Sequence, residues 1–479
     1  MSDVLEGIAR REQETMGDYD EWLESWQKRR DAGFETVLLT RQDDCLAVLL
    51  MDGNSGELQT LGWEFVPGNN TPPPSDMGIR DAATSEHRLA VEWPELGWNS
   101  PAHPSVRGKG VFLYPLGPVR ADVAESVLYN LTVMGDEILH VYVENGWKQR
   151  HIRAIVGGRT VAEAMPVISR FTTTSNVHHS LAMSLAVEEA WAVNVPPEIQ
   201  MTRTLMAELE RVYSHVGDLA ALAVSTGLPV PQMEYLHLKE ELLRINHLLF
   251  GHRYMRGSIV PGGLDTRLWP ANVNMSGVRD TVERVTHHCA KIAYDLERTT
   301  SFLDRLHGAG IIPPTTIHAV RPVGPVGRSA GREVDVRRVR PYAAYVDMPI
   351  PVVMASQADS YARFHVRILE LEASLQFIRK ILEQWERTLV LKVSAHNRTP
   401  IKGAPATRSG TGIVEAARGL LGYWIYLDPN SGRILDLGVA TPSQRNWMAY
   451  PAAMANGNIL QDFPIIDASF SLSVAGWDG

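Results

Sequence analysis

Between residues 197 and 389 the chain repeats apolar residues at alternating steps of three and four, and no other feature restricts its fold so strongly. Met201, Leu205, Leu209, Val212, Val216 and Leu219 follow one another at steps of 4, 4, 3, 4 and 3. That spacing lines one face of a helix, opened by Pro196-Pro197. A second helix is predicted from Glu234 to Phe250, ended by Gly251, and a third carries Val278, Val282, Val285, Cys289, Ile292 and Leu296 and stops near Gly308. The longest helix is predicted over 359–389, with Tyr361, Phe364, Ile368, Leu371, Leu375, Ile378, Leu382, Trp385 and Leu389 in strict register. Val366, Leu369, Phe377 and Ile381 make its stripe wider than a coiled-coil seam, so it belongs in the middle of a globular bundle.

Strand patterns stand on either side of these helices. Residues 2–30 read as a solvent-rich helix, followed by strands at 36–39, 45–51 and 58–65 around the turn Asp52-Gly53-Asn54-Ser55-Gly56. The unit closes at 67–74, where Pro67, Gly68, Pro72, Pro73 and Pro74 permit neither helix nor central strand and mark a linker. Strands at 111–116, 126–133 and 138–143 read as a meander turned at Met134-Gly135-Asp136. Near the end, 423–427 and 434–439 form a hairpin across Asp428-Pro429-Asn430-Ser431-Gly432. The fold class is α+β: a large helical-bundle domain flanked by short β-meanders, preceded by a small α+β domain. The boundaries are 1–68, a linker at 69–102, and 103–479.

Composition excludes several classes of function. Only two cysteines, Cys45 and Cys289, occur in 479 residues. They cannot build a four-cysteine metal site, a CxxC pair or a disulfide framework, and both are expected to pack as buried thiols. The net charge is −9, from 46 Lys+Arg against 55 Asp+Glu, so no basic field exists for nucleic acid. No stretch approaches 18 uninterrupted apolar residues, and the first thirty residues lack a signal-peptide core; neither a membrane span nor export by a recognisable signal is expected.

Candidate chemistry lies mainly beside the first apolar stripe. Glu208, Arg211, His215 and Asp218 fall at steps of 3, 4 and 3. Such a row can hold a proton path or an ion-pair ladder, although as a bare pattern it reads as a solvated or paired surface row. The pairs His178-His179 and His287-His288 diverge by roughly 100° on a helix and cannot chelate one ion from one face, so they read as structural or surface histidines. Gly324, Gly327 and Gly331, interleaved with Arg328 and followed by Arg332, Arg337, Arg338 and Arg340, read as an Arg/Gly-rich loop, either exposed or at a subunit interface. No phosphate loop, dinucleotide fingerprint or nucleophile elbow is present.

A further set of segments occurs in a telling order. It comprises Tyr114-Pro115-Leu116-Gly117-Pro118, Gly146-Trp147-Lys148-Gln149-Arg150, Ser184-Leu185-Ala186-Val187-Glu188, the row from Arg203 to Asp218, and Gly251-His252-Arg253 with Pro261-Gly262-Gly263. Pro341-Tyr342-Ala343-Ala344-Tyr345, Tyr361-Ala362-Arg363-Phe364, Val414-Glu415-Ala416-Ala417-Arg418-Gly419, Thr441-Pro442-Ser443 and Asp462-Phe463-Pro464 follow. Over 103–479 these resemble the large subunit of membrane-bound group 4 nickel-iron hydrogenases of the formate-hydrogenlyase type, and the related 49-kDa subunit of complex I, the NADH-quinone oxidoreductase. The N-terminal unit resembles, more weakly, a shortened 30-kDa subunit of complex I.

The resemblance also locates departures. Where the hydrogenases read R-V-C-G-I-C-x-x-x-H-S, this chain keeps Arg170, His179 and Ser180 but has Thr172 and Ser175 at the cysteine positions. Where they read D-P-C-x-x-C, it has Asp467, with Ser469 and Leu472 at the cysteine positions. Hydroxyls and a leucine do not replace soft thiolates, so hydrogen activation is not expected. The complex I pattern departs too: Arg120 and Ala124 stand for two histidines, Thr173 for the quinone-site tyrosine, and Ser225 for a proton-relay acid.

The resemblance implies a peripheral subunit on the cytoplasmic face of a membrane-bound complex. It would bind no cofactor itself, receive electrons from an iron–sulfur small subunit similar to the 20-kDa subunit of complex I, and adjoin membrane subunits. Residues 170–180 and 467–472 should meet across the bundle as a cleft. Arg120, Thr173, His178 and His179 are its candidate residues, with Glu208, Arg211, His215 and Asp218 as a polar relay, and quinone or another acceptor as substrate. The alternative is a non-catalytic structural and coupling subunit of such a complex.

Overall fold

The computed structural model describes residues 13–16, 19–42, 45–64, 108–120, 125–387, 389–391 and 404–477. The linker expected at 67–74 and Ala124 lie outside them. The first unit is a four-stranded sheet, order β1-β4-β3-β2, made of β1 (Gln13–Met16), β2 (Phe34–Gln42), β3 (Cys45–Asp52) and β4 (Leu58–Glu64), with helix α1 (Tyr19–Asp31) against it. The helix expected over 2–30 is thus shorter, and β1 precedes it, paired parallel with β4. Nor is α1 solvent-rich throughout. Trp22, Trp26 and Arg30, at steps of four, are buried on one face.

Alternation along β3 explains how this sheet is held. Val48 and Leu50 join a core that contains Trp22 and Trp26, while Leu49 and Met51 point the other way, into the core of the bundle. Both faces are therefore covered, one by α1 and one by the rest of the chain. Arg321 donates from Nη1 to Phe34 O at 2.9 Å, adding a polar tie.

β5 (Val111–Leu116), β6 (Leu128–Met134) and β7 (Glu137–Glu144) form the expected antiparallel meander. The bundle follows: α2 (Asn176–Trp191), α3 (Pro197–Ser225), α4 (Pro229–Phe250), α5 (Met275–Leu296) and α6 (Ser360–Gln384). A ribbon of β8 (Ile259–Val260) and β9 (Gly263–Leu264) interrupts it. The longest helix is α3, with 29 residues, whereas α6 has 25 and stops before Leu389. It ends because Trp385 leaves the helix and its indole N–H donates to Thr202 Oγ1 on α3 at 2.9 Å. The third helix also stops early, at Leu296, and a short helix Thr300–Leu306 restarts it. Cys289 is buried on the core face of α5, its thiol pushed up to about 12 by desolvation. No helix among the described residues is long and apolar enough to cross a membrane.

The C-terminal sheet has three strands, β10 (Ser409–Ala416), β11 (Gly419–Leu427) and β12 (Ile434–Ala440), followed by α7 (Pro442–Met454) and α8 (Phe463–Phe470). Only the β11–β12 hairpin is legible from the sequence; β10 hides behind its glycines and Glu415. Those glycines are the reason it fits. Gly410 and Gly412 share one face of β10, and a Cβ there would stand 2.0 Å from Ala186 O and 1.9 Å from Ala182 O on α2. Strand and helix therefore touch backbone to backbone.

Candidate functional site

α3 runs through the interior, and the row Glu208, Arg211, His215 is fully buried, not the surface row its bare pattern suggests. Each member finds a partner on another element. Tyr345 OH donates to Glu208 Oε1, and Arg337 Nη1 lies 3.1 Å from the same oxygen. Arg211 Nη1 donates to Ala416 O at 3.0 Å and Nη2 to Glu415 O at 2.5 Å, on β10. His215 Nε2 is 3.0 Å from Glu370 Oε2 on α6. The Arg/Gly-rich segment is likewise not an exposed loop at its centre. Arg328 is buried, donating to Glu370 Oε1 at 2.7 Å and to Glu415 Oε1 at 2.8 Å, while Arg337 forks onto Asp335 at 3.0 and 2.6 Å.

This cluster brings together Glu208, Asp335, Glu370 and Glu415 with Arg211, Arg328, Arg337 and His215, all out of water. Burial opposes ionisation of Glu208, but Arg211 and Arg337 outweigh it and hold its carboxyl at about 2. Glu370 is also held low, against burial, by Arg328 and His215. Glu415 goes the other way: burial and Asp335 raise it despite Arg328. Burial lowers His215, with Glu370 pulling in the opposite sense.

The start of α2 is organised by Glu210. Its carboxylate accepts from Val177 N at 2.9 Å, His178 N at 2.8 Å, Asn176 Nδ2 at 3.1 Å and Tyr213 OH at 2.9 Å, and pairs with His178 Nδ1 at 2.6 Å. It thus satisfies backbone N–H groups that a helix start leaves open. His179 turns elsewhere, its Nδ1 2.7 Å from Tyr423 OH and its ring stacked on Phe171. Burial takes its imidazole down to about 3, so it is neutral at pH 7. Thr172 Oγ1, Asn176 Oδ1 and His178 Nε2 are buried without a hydrogen-bond partner among the described residues. His287 and His288 are exposed.

Arg418 joins the two segments that the resemblance assigns to the metal. From the turn between β10 and β11, its Nη1 donates to Thr174 Oγ1 at 2.5 Å, its Nη2 to Ser471 Oγ at 3.1 Å and Asp218 Oδ1 at 3.3 Å, and its Nε to Ser471 O. The expected meeting of 170–180 with 467–472 therefore exists, but through Thr174 and Ser471, not through the assigned ligand positions. Thr172 and Ser175 are buried, and Leu472 packs against an apolar core. Ser469 Oγ is already held by Arg363 Nε at 2.9 Å and donates to Ile466 O at 2.8 Å. A leucine, an engaged serine hydroxyl and an arginine at the junction do not fit a nickel-iron centre.

The remaining candidates separate. Thr173 is exposed in the turn before α2, whereas His178 and His179 are buried. Ser225 closes α3, its hydroxyl bonded back to Leu222 O at 2.7 Å. Arg120 crosses to the C-terminal segment, pairing with Asp467 at 3.3 Å; Tyr129 and Tyr450 also donate to Asp467, at 3.0 and 3.1 Å. Sequence pattern does not single out Lys239, Arg367, Glu370, Glu210 or the role of Arg418. Arg363, Arg367 and Glu370, at steps of 4 and 3 inside an apolar helix, are the available signal, since charges in a buried stripe require partners.

The architecture is of a class that recurs in respiratory membrane complexes. A chain of the membrane-bound sulfane sulfur reductase, an archaeal respiratory membrane complex, superposes with a TM-score of 0.69 over 78% of this chain and 99% of its own, at 21% identity, a likeness of fold alone. The protein belongs to the family of the respiratory-chain NADH dehydrogenase 49 Kd subunit, whose model matches residues 226–478. It is similar to a subunit of the NADH-quinone oxidoreductase of Chloroherpeton thalassium, 27% identical over 71% of this chain and 81% of the relative. It is also similar to the carbon monoxide-induced hydrogenase of Rhodospirillum rubrum, 26% identical over 74% and 96%. The expected fold class and the hydrogenase-related, complex I-like family are thus borne out.

Proposed function

We propose that this chain is the large subunit of a membrane-associated oxidoreductase that takes electrons from an iron–sulfur small subunit and passes them to quinone or another acceptor at the Arg418 cleft, without activating hydrogen. The observation that supports this most is the junction itself. The segments that hold the metal in related hydrogenases still converge, while the assigned thiolate positions carry Thr172, Ser175, Ser469 and Leu472. In this reading the chain binds no cofactor and sits peripherally on the cytoplasmic face, against membrane subunits. The buried row from Glu208 to His215 links the cleft to the interior and is the relay through which coupling would pass.

A second reading, a non-catalytic coupling subunit, is favoured by the Arg418 clamp, which ties together the segments an acceptor would separate. Acceptor-dependent oxidation by the purified native assembly distinguishes the two. Turnover lost in Thr173→Ala, His179→Gln or Arg418→Gln, with assembly intact, supports the enzyme; turnover indifferent to all three supports the coupling subunit. Stoichiometric nickel on this chain would overturn the proposal, and absence of an iron–sulfur partner would remove its electron-transfer half.

A further inference from the structure

We propose that Lys239, Arg367 and Arg418 form a binding site for a small anion around Asp218. Three cations from α4, α6 and the β10–β11 turn face one carboxylate. Asp218 satisfies only part of them. Its Oδ1 takes Arg418 Nη2 at 3.3 Å, whereas its Oδ2 lies 3.7 Å from Arg367 Nε, too far for a hydrogen bond, and neither Oδ2 nor Nε has another partner among the described residues. The Arg367 side chain is only 3% exposed, so its open Nε is a buried donor left in place at a cost. Its Nη1 and Nη2 go to Arg363 O and Phe470 O, at 3.1 and 3.3 Å, both neutral.

Lys239 completes the ring. Its Nζ lies against Gly217, where a Cβ would stand 2.7 Å from it, so the glycine next to Asp218 makes room for the ammonium. Burial lowers the Lys239 ammonium, Asp218 raises it and Arg418 lowers it again, in agreement with cations that crowd a single acid. Arg363, one turn from Arg367, adds positive charge, partly offset by Asp359. Its hydrogen bonds go to Ala358 O, Gly310 O, Ser360 Oγ and Ser469 Oγ. Glu370, one turn along α6, also acts on Arg367 as a negative charge, but its hydrogen bonds go to Arg328 and His215, so it leaves the open Nε unpaired.

A monoanion or dianion with several acceptor atoms, such as a small oxyanion, thio-oxyanion or carboxylate, meets this geometry: charge to balance the excess, and lone pairs for donors on separate elements. Asp218 and Arg418 keep 11% and 13% exposure, so the group is largely shielded from water, where a charge–charge attraction is stronger than at the surface. The inference deepens the cleft reading above, since it makes the acceptor or its reduced product anionic.

The test is calorimetric titration of the full chain with inorganic sulfate, against chloride at constant ionic strength. Saturable binding of one sulfate per chain is expected. Lys239→Gln and Arg418→Gln should each weaken it about tenfold or more. Asp218→Asn should strengthen it, because a competing internal anion is removed. If Arg418→Gln fails to fold, the half-buried Lys239 variant carries the test. Absence of saturable binding, or affinity indifferent to Lys239→Gln and Asp218→Asn, overturns the site. Binding is read without turnover, so an assembly that binds sulfate at this site yet oxidises nothing would defeat the redox reading and leave the anion site standing.

Discussion

Single residues in the interior carry stakes that their surface counterparts do not. Glu370 pairs with Arg328 and His215 out of water, whereas Glu240 pairs with Arg253 and Arg244 at the surface. Glu370→Gln should cost about 3–5 kcal/mol, since it leaves a buried guanidinium short of charge. Glu240→Gln should cost less than about 1 kcal/mol. Denaturant midpoints of the two variants check this, and equal shifts would contradict the buried network. His179 makes a separate prediction about pH. Its ordinary value of 6.5 falls to about 3 on folding, so between those values the unfolded chain binds a proton that the native chain does not. Stability therefore declines as pH falls below 6.5, by up to about 1.4 kcal/mol per pH unit for this one group. His215, also lowered, adds in the same direction. Glu208, held at about 2, contributes its own loss only as pH falls through its ordinary 4.5. Unfolding measured at pH 6.5, 5.5 and 5.0 isolates the histidines, and His179→Gln should flatten that slope.

Among elements, the contact of α2 with β10 depends on the absence of side chains. Gly412→Ala would place a Cβ 1.9 Å from a backbone oxygen, a clash no rotamer relieves. Overpacking of this kind costs about 1–3 kcal/mol or more. Gly157→Ala, where the nearest atom is 3.5 Å away, should stay within about 0.5 kcal/mol. Thermal unfolding of both variants tests the assignment. The same contact shows what sequence pattern conveys at this scale. Helix stripes are legible because each is a local period of 3.6. β10 is not, because what makes it a strand is the helix against which its glycines press. The end of α6 escapes the pattern for a similar reason, since Trp385 follows the period but docks on Thr202 instead.

Across the whole molecule, the N-terminal sheet reads as an appendage in sequence, yet it is bound into the body. Val37, Leu49, Met51 and Leu58 belong to the bundle core, and Trp22, Trp26, Val48 and Leu50 to the second core. Deleting residues 1–64 should therefore lower the melting temperature and expose apolar surface, measurable by dye binding; an unchanged melting temperature would mean that the sheet contributes nothing to the rest. By itself the sequence determined the helical bundle, its flanking meanders, the family, and the residues that carry charge along α3. These follow from periodicity and motif order, which are local or additive along the chain. Only the tertiary structure decided that this row is interior, that Arg328 and Arg337 face inward, and that Arg418 joins the segments of Thr174 and Ser471. Whether a charged side chain is solvated or paired depends on partners far away along the chain, and that distance closes only when the chain packs.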